Sequence, residues 1–145
     1  METHITEELR EYNRIYKESN ELYHGIAKRK GLSDSAFDIL YALYVLGDGC
    51  QQKDICGYSG TSKQTIHSSV RKLEREGILR LEPGPGRGVR VYPTAQGRAL
   101  MERKIAPVAA AESRAFLCLN EEERQTFLRL ARMYTAALQK ECRDL

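Results

Sequence analysis

The 145-residue sequence predicts a mainly α-helical protein with a small β-wing, on three observations. Apolar residues recur at helical spacing through several stretches, each long enough for three or more turns. Only Ile78-Leu79-Arg80-Leu81 and Val89-Arg90-Val91-Tyr92 alternate apolar with polar residues, as half-buried strands do. Between them, Glu82-Pro83-Gly84-Pro85-Gly86-Arg87-Gly88 is too rich in Gly and Pro to be anything but a loop, so the two strands form a ribbon with Arg87 near its tip.

The helices follow in order. Thr6 to Lys30 carries Leu9, Tyr12, Ile15, Tyr16, Leu22, Tyr23 and Ile26 on one broad side, and ends in Lys28-Arg29-Lys30, cations suited to the negative end of the helix dipole. A second helix runs from about Ser33 to Leu46, with Ser33 as cap and Gly47 and Gly49 beyond its end. It is apolar nearly all round and should be central and buried. After Gln51 come a short helix, a tight turn carrying Gly57 and Gly60, and a longer helix from about Ser62 to Glu76. Thr61 or Ser62 can cap it and Gly77 can end it. Ile66, Val70 and Leu73 form its inward stripe, while Lys63, Gln64, Thr65, His67, Ser68, Ser69, Arg71 and Lys72 lie largely off that stripe. A fifth helix spans Thr94 to about Leu117 with Pro107 inside it, which predicts a kink or break near Ala106. In the last helix Asn120 and Glu123 form a capping box, and Phe127, Leu130, Ala131, Tyr134 and Leu138 make an apolar stripe.

Short helix, turn, longer helix and ribbon together spell a winged helix-turn-helix at about 33–93. The flanking helices, about 5–30 and 94–143, carry apolar stripes that so small a module cannot bury. Dimerisation is the economical solution, within a single domain of residues 1–145. A monomer whose terminal helices pack on its own core is the alternative. A twofold pair of heads would match palindromic DNA with half-sites about one helical turn, roughly 34 Å, apart.

Net charge is only +3, but its distribution is uneven. Residues 51–104 carry eleven Lys/Arg against five Asp/Glu, a local +6, while the remainder carries twelve against fifteen, a local −3. Positive charge thus gathers on the proposed reading head, as phosphate binding requires, although charged helix faces are also commonly just solvated. No apolar run approaches the ~20 residues of a membrane helix and the amino terminus lacks a signal-peptide core, so a cytoplasmic protein is expected.

The segments SKQTIHSSVRKLEREGIL and VRVYPTAQGRAL, joined by a short Arg-bearing loop, resemble the recognition helix, wing and following helix of MarR-type transcriptional regulators. The resemblance extends over nearly the whole chain and implies a homodimer interlocked through its first, fifth and sixth helices. It departs at Pro85, where family wings usually carry Asp; at Pro93-Thr94, for the usual Leu-Thr; and at Ser68, often Arg. It also implies an effector cleft between dimer helices and DNA-binding module, for which Tyr12, Tyr16, Tyr23, Tyr41 and Tyr44 supply aromatic surface with hydroxyl handles for a small aromatic or anionic molecule. Those tyrosines equally suit a core or a dimer interface.

Groove geometry assigns roles. Gln64, Thr65, His67 and Ser68 are expected at or near base edges; Ser62, Lys63, Arg71 and Lys72 suit phosphates, and Arg87 the minor groove or backbone at the wing. The plainer alternatives are that His67 packs on the preceding helix, Ser69 faces the core, and Arg71 or Lys72 is solvated. Cys50, Cys56, Cys118 and Cys142 contain no Cys-x-x-Cys pair and the three histidines complete no metal spacing, so neither metal nor cofactor is expected. Redox sensing in this family typically uses a first-helix cysteine, which this chain lacks; oxidation of Cys50 or Cys56 could still disturb DNA binding, and small buried hydrophobes are the plain alternative. An enzyme is not expected, because GPGPGRG lacks the strand-to-helix context and Lys-Ser/Thr ending of a phosphate loop and no nucleophile–base constellation stands out. The expected function is that of a sequence-specific DNA-binding regulator, a homodimeric repressor released from a palindromic operator by a small molecule or a redox signal. The competing reading is a winged-helix module that binds proteins.

Overall fold

The computed structural model describes residues 4–145, so the first three residues of the expected domain 1–145 lie outside it. Seven helices and three strands follow in the order α1 (Glu7–Arg29), α2 (Asp34–Leu46), β1 (Cys50–Gln51), α3 (Gln52–Ser59), α4 (Lys63–Arg75), β2 (Leu79–Pro83), β3 (Val89–Pro93), α5 (Ala95–Lys104), α6 (Ala106–Phe116) and α7 (Glu121–Glu141) among the described residues. The fold is mainly α with a small β-wing. Two compact units are present, Met1–Ala106 and Pro107–Leu145.

In the first unit α2 is the central element, packed against α1, α3, α4 and α5. Phe37, Ile39, Leu40 and Leu43 are buried on it, as its apolar composition predicts. Its last turn differs: Tyr44, Val45 and Leu46 are exposed, because the chain reverses at Gly47 (φ 94) with no neighbour covering that turn. Ile55 of α3 and Ile66, Val70 and Leu73 of α4 complete the core beneath the turn. Each such side chain contributes about 1.5–3 kcal/mol when taken out of water.

The turn between α3 and α4 is shorter than the glycines suggest. Gly57 lies inside α3, and Gly60 alone makes the reversal, at φ 69 with its N–H donating to the Cys56 carbonyl at 3.0 Å. Glycine reads as a breaker in sequence, yet one exposed helical glycine is tolerated where burial of Ile55 holds the turn.

The ribbon is one strand wider than the alternating segments predict. Its order is β1-β3-β2, with Cys50 opposite Val91 and Gln51 opposite Arg90. A two-residue strand has no period to detect, which is why β1 is silent in sequence. β2 and β3 pair from Leu79 opposite Pro93 to Pro83 opposite Val89, so Glu82 and Pro83 belong to a strand and the loop shrinks to 84–88.

The predicted break near Ala106 falls at Ile105, which ends α5 at φ −102 with its N–H donating to the Met101 carbonyl at 2.8 Å. Pro107 then sits in the first turn of α6, where a missing N–H costs nothing. In the second unit Asn120 and Glu123 form the expected capping box of α7, and the Phe116 and Phe127 rings meet edge-on at 6.1 Å. No residue of α7 is buried: Phe127, Leu130, Met133, Tyr134 and Leu138 are all exposed. Along α1 only Ala27 is buried, and Tyr12, Ile15, Tyr16 and Leu22 are exposed.

Two glycines give opposite expectations. A Cβ on Gly57 meets nothing within 4 Å, so Gly57→Ala should raise unfolding free energy by about 0.5–1 kcal/mol through helix propensity. A Cβ on Gly97 would stand 2.0 Å from the Ile78 carbonyl oxygen, so Gly97→Ala should lower it by about 1–3 kcal/mol. Chemical denaturation at one fixed protein concentration checks both, and equal effects at the two sites would contradict the packing of α5 on the β2 root.

Candidate nucleic-acid interface

The position of α4 is set by its buried stripe and by polar contacts to α2. Ser62 caps the helix, its hydroxyl accepting from the Thr65 N–H at 3.2 Å and donating to the Thr65 hydroxyl at 2.9 Å. Just before it, the Thr61 hydroxyl donates to Asp38 Oδ2 at 3.1 Å. Nearly two turns into the helix the Ser69 hydroxyl donates to Ser35 Oγ at 2.6 Å. Ser69 therefore faces inward. Two residues of α2 thus hold the entry and the middle of α4 in register. Burial pushes the Asp38 carboxyl above its ordinary value, and the nearby Asp34 charge adds to this, against the lowering effect of the Thr61 hydrogen bond.

With Ile66, Val70 and Leu73 turned inward, helical spacing sets Gln64, Ser68, Arg71 and Arg75 along the outward line. Lys63 and His67 lie on one flank of that line, Thr65 and Lys72 on the other, and all eight are exposed. Arg71 shares its charge with Glu74 at 3.2 Å. His67 is exposed, and its Nδ1 lies 3.4 Å from the Gln52 amide nitrogen on α3, the preceding helix. Arg75 was not among the residues singled out from the sequence, although its spacing of four from Arg71 and seven from Ser68 carries the signal. Gln52 carried none, since its partner is fifteen residues away.

The wing is drawn tight rather than loose. Within residues 84–88, the Gly84 N–H donates to the Gly88 carbonyl at 2.8 Å and the Gly88 N–H to the Pro85 carbonyl at 3.0 Å. Gly86 adopts φ 61, the left-handed backbone such a turn demands. Arg87 beside it is exposed and makes no hydrogen bond or ion pair among the described residues. At the wing root, Arg90 donates to the Gly49 carbonyl at 3.0 Å, and the Arg80 guanidinium lies 4.5 Å above the Tyr92 ring. Two of the basic residues of the ribbon are thus structural, and Arg87 is the free one at its tip.

The tyrosines separate into two sets. Tyr12, Tyr16 and Tyr44 are exposed, whereas Tyr41 is half-buried, stacked between Phe37 at 5.8 Å and Tyr58 at 6.3 Å. All four cysteines are free thiols. Burial, and then the Asp54 and Asp48 carboxylates, push the Cys50 thiol up to about 11, which keeps it protonated and a poor nucleophile near neutral pH. No group of metal-ligating side chains is assembled among the described residues, and no helix there is long and apolar enough to cross a membrane.

The Asp38 contact has a measurable consequence. A carboxyl raised in the folded state contributes stability that is present in full below the unfolded value of 3.8 and lost as pH rises through the folded one. Asp38→Asn keeps an acceptor for Thr61 without the buried charge. It should therefore be at least as stable as wild type at pH 7, with that advantage vanishing toward pH 3. Urea unfolding across this range checks the direction, and a variant that gains on acidification relative to wild type would contradict it.

Residues 30–88 match the family model described as MarR family. No curated protein matches the chain. Among solved structures, a MarR family transcriptional regulator from Silicibacter pomeroyi is 27% identical, with 87% of this chain and 86% of that one covered at a TM-score of 0.67. A MarR family transcriptional regulator from Streptomyces coelicolor, solved in complex with DNA, is 23% identical over 94% of this chain and 91% of that one, TM-score 0.69. BpsR from Bordetella bronchiseptica, whose DNA binding is regulated by 6-hydroxynicotinic acid, is 22% identical over 86% of this chain and 98% of that one, TM-score 0.64. The matched segment opens at the end of α1 and closes at the wing tip, spanning the exposed face of α4 and Arg87, and over these residues the chain is similar to the winged helix-turn-helix of MarR family regulators.

Proposed function

We propose that the chain is a homodimeric, sequence-specific repressor of the cytoplasm that binds a palindromic operator through α4 and the wing. The observation that carries this is the exposed polar and basic face of α4, held rigidly by α2, with an unpaired arginine at the wing tip. Gln64, Thr65, His67 and Ser68 approach base edges in the major groove. Ser62, Lys63, Arg71 and Lys72 take phosphates, joined by Arg75, and Arg87 reaches the minor groove or the adjacent backbone. The capped amino end of α4, with no acidic residue in its first turn, favours a phosphate there as well.

Dimerisation is supported by α7, which buries nothing of its own, and by the exposed tyrosines, Ile15 and Leu22 of α1. So much unburied apolar side chain is costly in water and is relieved by a second copy. On this reading 1–145 works as one domain, with about 5–30 and 94–143 supplying the dimer helices. A small aromatic or anionic effector near Tyr12, Tyr16, Tyr41 and Tyr44 would release the operator, as 6-hydroxynicotinic acid regulates DNA binding of the Bordetella protein. The raised Cys50 thiol speaks against oxidation there as the signal.

Selection of bound sequences from a random DNA pool, with a salt titration on the winner, tests the function. An inverted repeat with half-sites about a turn apart is expected, and absence of DNA binding would replace this reading with a protein-binding winged helix. Arg87→Ala should weaken binding to all sequences and reduce the slope against log salt by about 1, whereas Gln64→Ala should relax preference at one base pair by roughly 1–3 kcal/mol. Equal losses on every sequence in both variants would undo the division between positioning and reading.

A further inference from the structure

Gln52 opens α3, and the amino end of that helix is already satisfied by its neighbour. The Asp54 carboxylate accepts from the Gln51 N–H at 3.1 Å, so the Gln52 carboxamide is not needed for that contact. It turns instead across the helix-turn-helix to α4, where its amide nitrogen lies 3.4 Å from His67 Nδ1. This is the one hydrogen-bond partner of His67 among the described residues. A carboxamide nitrogen can only donate, so this arrangement calls for Nδ1 as the accepting, bare nitrogen and for the ring proton of neutral His67 on Nε2, across the ring from α3. The imidazole is exposed on the flank of the reading face, and Nε2–H is the group it offers outward.

We propose that Gln52 makes His67 a one-way reader, a donor aimed at a hydrogen-bond acceptor on a base edge, so that a residue of α3 influences specificity at one base pair. The inference rests on the DNA-binding reading above and names the chemistry of one contact within it. Acceptors in the major groove are guanine N7 and O6, adenine N7 and thymine O4, whereas the cytosine amino group presents only a donor. With Nε2 biased toward the donor form, His67 disfavours cytosine at the position it faces. The contact is long, so it biases the tautomer and ring orientation rather than clamping them. Gln52 is therefore a positioning residue and His67 the reader.

Nitrogen-15 NMR of the labelled full chain reads the tautomer without DNA, with the His67 signals identified by their loss in His67→Gln. Wild type should show Nε2 protonated. Gln52→Met, close in length but without a donor, should give a mixture of tautomers, while Gln52→Lys, which restores an N–H donor, should return the wild-type form. In pool selection, His67→Ala should lose about tenfold of discrimination and Gln52→Met a smaller part of it, roughly two- to threefold, at the same base pair, and Gln52→Lys should retain it. A wild-type ring protonated on Nδ1 would overturn the proposal, as would a loss at different base pairs in the two variants. If wild type selects an operator and both variants keep every preference, this inference fails while the DNA-binding reading stands. If wild type selects nothing, both fail.

Discussion

The reading head depends on keeping Ile66, Val70 and Leu73 out of water. These three positions recur every three to four residues, so burying them against α2 fixes the rotation of α4 about its own axis. Once that rotation is set, Gln64, Ser68, Arg71 and Arg75 have no choice but to face outward. Hydrophobic burial decides rotation but leaves sliding along the axis weakly specified. The Ser69–Ser35 and Thr61–Asp38 hydrogen bonds supply that second constraint, because each is directional and each ties a different point of α4 to α2. A half-buried carboxyl raised above its ordinary value is the electrostatic cost of one of those ties.

Most of the helical architecture was legible in the sequence because its signals are local. Thr6, Ser33, Ser62, Thr94 and Asn120 each cap a helix through a side-chain oxygen, and Gly31, Gly47, Gly60 and Gly77 mark reversals with positive φ. Pro107 announced the α5–α6 break for an equally local reason, its missing N–H. What stayed hidden was non-local or too short to have a period. β1 is two residues long and exists only because Val91 and Arg90 stand opposite it. Gly57 misled because the same residue that permits a turn can also sit inside a helix whose neighbours hold it. Tyr44, Val45 and Leu46 misled because composition records how apolar a turn is and not whether anything covers it.

The site shows the same division. The outward residues of α4 followed from periodicity, and Arg75 could have been found by the same rule. Arg87 stood out in sequence as the loop residue near the tip, but the partners of the two strand arginines are non-local and could not be read: Arg80 stacks on Tyr92 and Arg90 closes onto Gly49. Arg87 makes no ion pair among the described residues, so it has none to break before meeting an external anion.

β1 has a mechanical meaning beyond adding a strand. Gln51 pairs with Arg90 in the wing while the next residue begins α3, and a Cβ on Gly88 would lie 3.0 Å from the Gln51 side-chain oxygen. The wing and the start of α3 are therefore stitched together through the two residues of β1. On the proposed DNA-binding reading, two contacts carried on such a joined unit would not be independent ligands: each would hold the other at a high effective concentration near its target, so a displacement of the unit would weaken both together.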